Sequence, residues 1–352
     1  MKPIMLMLIW LLTSFPVNAV PEETYKIDPL VAIVEACQDA LALGDKGTAY
    51  TIARKVRWEA LSRFKDDPRQ LAPLLLLYAD AAASYNDRGA LVAYREALTA
   101  YEKAFGLNSA QLIEPVMRAA REALARRFRV EAYALFQRIL ELSALHKRDA
   151  SAFAAIAKTG IASLHVRVGE NMAARRYLDE ALQVDTRTLS VLDLGWIYHV
   201  SADAHMALEN WQQANDDYTQ AYGLYQADNT NSEDLLTILK RLIKANHMMG
   251  YTGRAASFCQ RYAERKDWGN RMLFDPSAKM TNHIDWNIVS VGVEYTINSK
   301  CKAVDVKVTH AEGMDVEAVK NIVENAYWLP RFTDGELVST AIQRVPTLYI
   351  VN

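Results

Sequence analysis

A recurring pattern of small and bulky residues constrains the fold of this chain more than any other feature of its sequence. An Ala is followed four residues later by a bulky residue, and three residues after that by a small or apolar one. The clearest copies are Ala97-Tyr101-Ala104, Ala132-Phe136-Ile139, Ala174-Leu178-Ala181 and Ala214-Tyr218-Ala221. These spacings place the three positions on one helix face, where the small residues let a neighbouring helix approach and the bulky one fills the gap. The pattern therefore predicts packed helices and not a cofactor site.

The copies return at intervals that hold two helices and two turns. Their Ala anchors, from Ala97 to Ala214, are 35, 42 and 40 residues apart. A weaker copy stands in front and a degenerate one behind, as expected of terminal copies that cap a stack; they are Ala53-Arg57-Ala60 and the segment around Ala255, Phe258 and Tyr262. The sequence therefore predicts a mostly α protein, with an α-solenoid of paired antiparallel helices over residues 20–267.

These segments resemble the tetratricopeptide repeat family. The second helix of that repeat carries the same Ala, aromatic and Ala positions, and the first helix carries a Leu-Gly pair followed by Tyr, as in Leu194-Gly195 with Tyr198. The intervals near 40 residues exceed the 34 residues usual in the family. The resemblance implies a groove that binds a peptide or a partner domain, and it leaves the ligand unnamed.

The sequence period changes near the C-terminus. Apolar residues alternate with polar ones from Ile288 to Ile297 and again from Val304 to Val308, which predicts two strands joined by a turn at 298–300. Asp315 then precedes apolar residues at helical spacing from Val316 to Tyr327, and a third β segment runs from about 341 to 351. We therefore predict a small α+β domain of order ββαβ over 286–352, after a linker at 268–285.

The segment Trp328 to Val338 resembles the hallmark of the TonB C-terminal domain. An aromatic pair ends the helix, a Pro-Arg follows, an acidic residue with Gly turns the chain, and an apolar strand ends the protein. The residues that carry this motif are Tyr327, Trp328, Pro330, Phe332, Asp334 and Gly335. An alternative is that the aromatic and Pro residues among them are only the hydrophobic plug of a small domain.

The TonB resemblance implies a partner site at the last strand. In that family this strand is a sheet edge that captures a short peptide from an outer-membrane receptor, and an edge strand offers unpaired main-chain groups for such an addition. The residues predicted to contact the partner are Arg331, Val345, Thr347, Tyr349 and Val351. Pro346 suits an edge strand but removes one possible hydrogen bond to an added peptide.

The N-terminus predicts export. Lys2 precedes an apolar run from Ile4 to Leu12, and Val17-Asn18-Ala19 follows, which is the pattern of a cleavable signal peptide at residues 1–19. The run is far shorter than the roughly 20 residues of a bilayer span. We expect a periplasmic chain without a stable membrane span; the alternative is an uncleaved leader that holds the protein in the inner membrane, facing the periplasm.

The remaining composition argues against several classes of protein. The formal charge of −2 and the interspersed acidic residues argue against nucleic-acid binding. His199 and His205 are six residues apart on one predicted helix, and the sequence has no metal-binding, nucleophile-elbow or phosphate-loop motif, so we expect no enzyme activity, cofactor or metal. Of the three cysteines, Cys259 and Cys301 could form a disulfide, with burial of all three as small core residues as the alternative.

The sequence thus favours an exported protein-binding adaptor of the cell envelope, linked to outer-membrane transport or to envelope protein interactions. One alternative is a membrane-anchored energy transducer of the TonB type, and another is a structural envelope protein that self-associates. The expected partners are proteins or peptides, among them an outer-membrane receptor peptide and a second copy of the chain in a homodimer.

Overall fold

A computed structural model describes residues 28–146, 151–228, 232–265, 272–274, 290–298, 300–312, 315–328, 331–333, 336–338 and 340–342. The predicted signal peptide lies outside these residues. The chain divides into two compact units, residues 1–93 and 94–352. None of the helices in the described ranges combines the length and hydropathy that a bilayer span requires.

Helices dominate the described part of the chain. They are α1 (Pro29–Ala42), α2 (Lys46–Arg63), α3 (Pro68–Ser84), α4 (Ala90–Phe105), α5 (Ile113–Ala125), α6 (Arg129–Leu145), α7 (Ser151–Val168), α8 (Asn171–Ala181), α9 (Val191–Ala207), α10 (Trp211–Asp228), α11 (Ser232–Met248), α12 (Thr252–Arg265) and α13 (Val316–Asn325). The strands are β1 (Met272–Phe274), β2 (Ser290–Ile297), β3 (Ala303–Glu312), β4 (Tyr327–Trp328), β5 (Arg331–Thr333), β6 (Glu336–Val338) and β7 (Thr340–Ile342).

In the first unit, α1 packs on α2 and α2 packs on α3. The carboxylates of Asp28, Asp45 and Asp67 accept hydrogen bonds from main-chain N–H groups of the first turn, and so they cap the three helices. Small buried side chains let the helices approach closely; they include Cys37, Ala53 and Ala81.

In the second unit, the helices pack as the pairs α5/α6, α7/α8, α9/α10 and α11/α12, and the second helix of each pair packs on the first helix of the next. The predicted small and bulky positions lie in this core. Ala132, Phe136 and Ile139 are fully buried, and so are the corresponding residues of the copies that begin at Ala174 and Ala214. The structure confirms the predicted paired helices.

Six turns between helices share one conformation and fix the repeat. Each contains a residue with left-handed φ between 61° and 83°; these are Gly44, Asn86, Arg127, Gly169, Glu209 and Gly250. In each turn the N–H of that residue bonds the carbonyl three residues back, and the next N–H bonds the carbonyl five back, as in Gly250 to His247 and Tyr251 to Asn246. This is the Schellman arrangement that ends a helix. The spacings are 42, 41, 42, 40 and 41 residues, so the structural repeat is about 41 residues long.

The turns also correct the register of three predicted copies. In five of the six turns, the residue five positions after the left-handed one is Ala. These residues are Ala49, Ala132, Ala174, Ala214 and Ala255. The copy Ala97-Tyr101-Ala104 was wrong, because the buried positions of α4 with this spacing are Ala90, Tyr94 and Ala97. The first copy is Ala49-Ala53-Val56, not Ala53-Arg57-Ala60, and the last is Ala255-Cys259-Tyr262. Ala recurs so often in these helices that the pattern fits more than one register.

The C-terminal module, defined here as the elements from β2 to β7, contains the predicted hairpin and helix. β2 lies between β3 and β7 in an antiparallel sheet. Its inward residues Val293, Tyr295 and Ile297 pack with Val319 and Val323 of α13. Asp315 caps α13 as predicted, since its carboxylate accepts a hydrogen bond from the N–H of Ala318 at 3.0 Å.

The end of that helix differs from the prediction. The aromatic pair Tyr327–Trp328 does not continue the helix, because Ala326 is extended (φ −63°, ψ 160°) and the pair forms β4. β4 pairs antiparallel with β1, a strand that falls inside the predicted linker at 268–285. Of the predicted last strand, only Ala341 and Ile342 lie among the described residues, in β7.

Candidate protein-interaction sites

A disulfide fastens the C-terminal module to the last helix pair. It joins Cys259 on α12 to Cys301 in the turn between β2 and β3, with their Cα atoms 6.4 Å apart, inside the usual range. Cys301 has a left-handed φ of 59°. The carboxamide oxygen of Asn298 accepts hydrogen bonds from the N–H groups of Lys300 (2.9 Å) and Lys302 (3.1 Å), which stabilises this turn.

Tyr327 fills the contact between the module and the helix pair. Its side chain is fully buried in a cluster with Ile243, Ala255 and the two cysteines. The ring of His247 meets the tyrosine ring edge-on at 5.5 Å between centroids, with His247 Nδ1 3.4 Å from the hydroxyl. The aromatic residue of the TonB-like motif therefore packs against the helices.

Lys302 lies over the ring of Tyr327. Its Nζ lies 3.6 Å from the ring centroid, and it donates hydrogen bonds to the carbonyls of Asn325 (2.6 Å) and Ala326 (3.3 Å). Burial lowers the pKa of Lys302 to about 8. Burial, and then the charge of Lys302, hold the pKa of His247 below its ordinary value. Sequence reasoning missed both residues; the only signal was the Lys-Cys-Lys turn.

Trp328 faces the interior of the module. Its Nε1 donates a hydrogen bond to the carbonyl of Val323 at 2.8 Å, and its ring packs on Tyr295 with centroids 4.7 Å apart. Neighbouring residues of a strand point to opposite faces, which is why the pair Tyr327–Trp328 serves two cores at once. Both side chains are interior packing residues in this structure.

The two edges of the sheet differ. β3 forms one edge and is interrupted by two irregularities in its pairing with β2, at Gly292/Val293 and at Glu294/Thr296. Asp305 at the second irregularity has a left-handed φ of 56°. Bulges and charges on an edge strand oppose the addition of another strand. β7 forms the other edge, and among the described residues only β2 pairs with it.

Most of the predicted partner residues follow β7 in the sequence. Val345, Thr347, Tyr349 and Val351 lie outside the described residues, as do Pro330, Asp334 and Gly335 of the motif. Arg331 and Phe332 belong to β5, which pairs with β6 so that Arg331 opposes Val338 and Phe332 opposes Leu337. The structure therefore places a short hairpin where the sequence predicts the motif's turn.

The histidines noted in the sequence belong to two polar clusters between α9 and α10. Asp203 accepts a hydrogen bond from the hydroxyl of Tyr218 and lies 3.8 Å from His199. Asp217 accepts one from Ser201 at 2.6 Å and lies 3.9 Å from His205. Burial lowers the pKa of His205 and raises that of Asp217. Within the described ranges, no three His, Cys, Asp or Glu side chains lie close enough together to hold a metal ion.

Comparison with known proteins identifies the fold alone. No protein-family model and no curated protein matches the chain. Among solved structures, BtubC (BKLC) from P. vanneervenii aligns with a TM-score of 0.50 and 18% identity, over 62% of this chain and 90% of its own. A tetratricopeptide repeat protein from Parabacteroides merdae (TM-score 0.44, 14% identity, 68% and 80% covered) and Acl4, an assembly chaperone of RpL4 (0.41, 14%, 69% and 92%), align less well. The chain thus shares a helical fold with BtubC.

Proposed function

We propose that this chain is a non-enzymatic, exported adaptor of the periplasm, in which the helical repeats hold one protein partner and the C-terminal sheet holds a peptide of another. The proposed peptide binding by the C-terminal sheet rests on the contrast between the two sheet edges. β3 is broken by two bulges, whereas β7 leads directly into the segment that resembles the peptide-capturing strand of the TonB C-terminal domain. An extended peptide would add to β7 by main-chain hydrogen bonds.

The order of strands supports this assignment. β2 is central, and β7, the last of the strands after α13, pairs on its far side, away from β3. The module is also fastened covalently to α12, so a peptide bound at β7 would be held at a fixed place on the helical array. A partner peptide of an outer-membrane receptor fits this role, and it would link the protein to outer-membrane transport.

Export is tested by the mass of the N-terminus in protein purified from the envelope of its host, together with release by osmotic shock. A chain that begins at Val20 and is released in soluble form supports the periplasmic adaptor. An intact Met1 terminus retained in the inner membrane would instead support the anchored transducer.

Peptide capture is tested by placing a photo-crosslinking amino acid at Thr340 in β7 and, as a matched control, at Thr309 in β3. Crosslinks from position 340 to an outer-membrane protein, with none from position 309, support the proposal. Crosslinks only to a second copy of the chain would indicate the self-associating structural protein, and equal crosslinking at both positions would contradict the choice of edge.

A further inference from the structure

Two neighbouring helix turns of the second unit carry exposed apolar side chains. The turn between α5 and α6 and the turn between α7 and α8 both have the Schellman conformation and come from consecutive helix pairs. Residues 126–133 and 165–176 together are called the turn face here. Four of its large apolar side chains are more than half exposed: Phe128 (53%), Val130 (87%), Val168 (54%) and Met172 (68%). Exposed apolar side chains that cluster in this way mark a contact surface.

Aromatic contacts hold the two turns side by side. The ring of Tyr133 on α6 meets the ring of His165 edge-on, with centroids 6.4 Å apart. His165, in the last turn of α7, stacks on Tyr177 of α8 with centroids 5.6 Å apart. Met172 in turn shares an open depression of about 310 Å³ with Leu208, which precedes the α10 helix. The apolar side chains of the two turns therefore belong to one surface.

The turn face is basic, although the chain as a whole carries a formal charge of −2. It contains six arginines and only two glutamates. Both glutamates are already engaged, since Glu131 pairs with Arg95 at 2.6 Å and Glu170 Oε2 lies 2.6 Å from His165 Nδ1. Four of the arginines are exposed and have no ion-pair partner among the described residues; they are Arg127, Arg129, Arg167 and Arg176. Their charge is therefore available to an anionic partner.

We propose that the turn face binds the surface of an anionic lipid bilayer. The four exposed guanidinium groups donate hydrogen bonds to lipid phosphates, and the four apolar side chains enter the boundary between the headgroups and the acyl chains. A fluid surface moulds around separate protruding side chains, whereas a folded protein partner would have to supply a pocket for each of them. Attachment of this kind is reversible, and it requires neither the peptide site at β7 nor an uncleaved leader.

The test measures binding of the full chain, as isolated from the envelope of its host, to vesicles that can be sedimented. One preparation is phosphatidylcholine alone, and the other contains about one third phosphatidylglycerol, which supplies the negative surface. We expect binding to the anionic vesicles only. Raising the salt from about 0.1 M to about 1 M should release the protein, because it shortens the Debye length from about 10 Å to about 3 Å.

Two double variants separate the contribution of charge from that of apolar contact. Arg129→Gln with Arg176→Gln should weaken binding about 25-fold, because each basic residue near an anionic surface contributes about fivefold. Val130→Ser with Met172→Ser should weaken it about tenfold, because less apolar surface is then buried in the bilayer. All four side chains are exposed, so the fold should persist, and circular dichroism checks it.

Matched controls make comparable changes at helix ends that lie away from the Schellman turns. Arg261→Gln with Arg265→Gln alters the last turn of α12, and Val191→Ser with Leu192→Ser alters the first turn of α9. These four side chains are also exposed. Both control proteins should bind the anionic vesicles as the unchanged protein does.

Several results would overturn the inference. They are absence of binding to the anionic vesicles at low salt, equal binding to both preparations, and equal loss in a variant and its control. Full binding by the Val130 and Met172 variant would also overturn it, because charge alone would then explain adsorption. A photo-crosslinking amino acid at position 130 identifies the occupant in the envelope: lipid adducts support the inference, and crosslinks only to a protein contradict it. Crosslinking at Thr340 tests the sheet edge separately, so the two proposals can fail independently.

Discussion

At the scale of single residues, two glycines make room for aromatic rings of the neighbouring helices. A Cβ built on Gly160 of α7 would lie 2.3 Å from the ring of Phe136, and one on Gly195 of α9 would lie 2.7 Å from Tyr225. The Leu194-Gly195 pair was recognised in the sequence as part of a repeat signature. The ring that requires the glycine could not be predicted, because Tyr225 is on another helix and 30 residues away.

Gly160→Ala should destabilise the protein, because the new Cβ would lie 2.3 Å from the fully buried ring of Phe136, which would have to shift. We expect a loss of about 1–3 kcal/mol, typical of overpacking a core, seen as a lower midpoint of thermal unfolding. Gly223→Ala is the matched control, since a Cβ at this exposed helical position meets nothing within 4 Å. The free energy of unfolding of that variant should rise by about 0.5–1 kcal/mol, because Ala has a higher helix propensity than Gly. Equal effects of the two variants would contradict the packing argument.

His247 should make the contact between the module and the helices sensitive to acid. Its folded pKa lies below the ordinary value of 6.5, because burial and Lys302 disfavour the charged imidazole. Above pH 6.5 the residue is neutral whether the contact is formed or open, so its contribution to the stability of the contact is fully present. Below pH 6.5 the open state binds a proton first, and stability falls until the folded pKa is reached.

Hydrogen exchange of the Tyr327–Trp328 segment measures this effect after correction for the intrinsic dependence on pH. Protection should decrease from pH 7.5 to pH 5.5, and His247→Gln should flatten the profile. His205→Gln is the control, because that histidine lies between α9 and α10 and should alter protection there instead. An unchanged profile in the His247 variant would exclude this residue as the cause.

At the scale of elements, the turns and not the helix pattern define the repeat. Three of the six left-handed positions carry Gly, while Asn86, Arg127 and Glu209 adopt the same conformation with a side chain. A non-Gly residue in this region is destabilised by about 1–2 kcal/mol. This explains why sequence reasoning found helices of the right kind but misplaced three copies. The conformation recurs every 40 to 42 residues, whereas the residue type at the turn varies.

Arg127→Gly should therefore stabilise the α5/α6 pair by about 1 kcal/mol, through relief of the left-handed φ of 64°. The control is Ala134→Gly in the exposed middle of α6, where φ is helical. Glycine at that position should lower the free energy of unfolding by about 1 kcal/mol. Chemical denaturation followed by circular dichroism measures both. An Arg127→Gly variant that is no more stable than the unchanged protein would show that another interaction of Arg127 outweighs its backbone strain.

The module shows a second limit of sequence reasoning at this scale. The strand period, the cap at Asp315 and the order of hairpin and helix could all be predicted from the sequence, because each depends on residues close together in the chain. The docking of Tyr327 on Ile243 depends on residues 84 positions apart, and the cover provided by Lys302 depends on residues 25 positions apart. Both sides of that contact look like ordinary core positions in the sequence.

At the scale of the whole molecule, the disulfide should decide how far a disturbance of the module spreads. The Cys259–Cys301 bond closes a loop of 42 residues, for which chain entropy alone gives about 4 kcal/mol of stabilisation. In a stack of helix pairs each pair contacts only its neighbours, so the loss of one contact is felt locally. Reduction should therefore affect the C-terminal part of the second unit and leave its other pairs nearly unchanged.

Cys259→Ser in the full chain tests this gradient by hydrogen exchange at three places. We expect the largest loss of protection in β2 and β3, a smaller one in α11 and α12, and none in α5 and α6. Cys301→Gly is the informative companion, because it removes the same bond and also relieves the left-handed φ at position 301. It should recover about 1 kcal/mol relative to Cys259→Ser within the hairpin. A uniform loss along all the helices would mean that the second unit unfolds as one cooperative body, and that the module stabilises it as a whole.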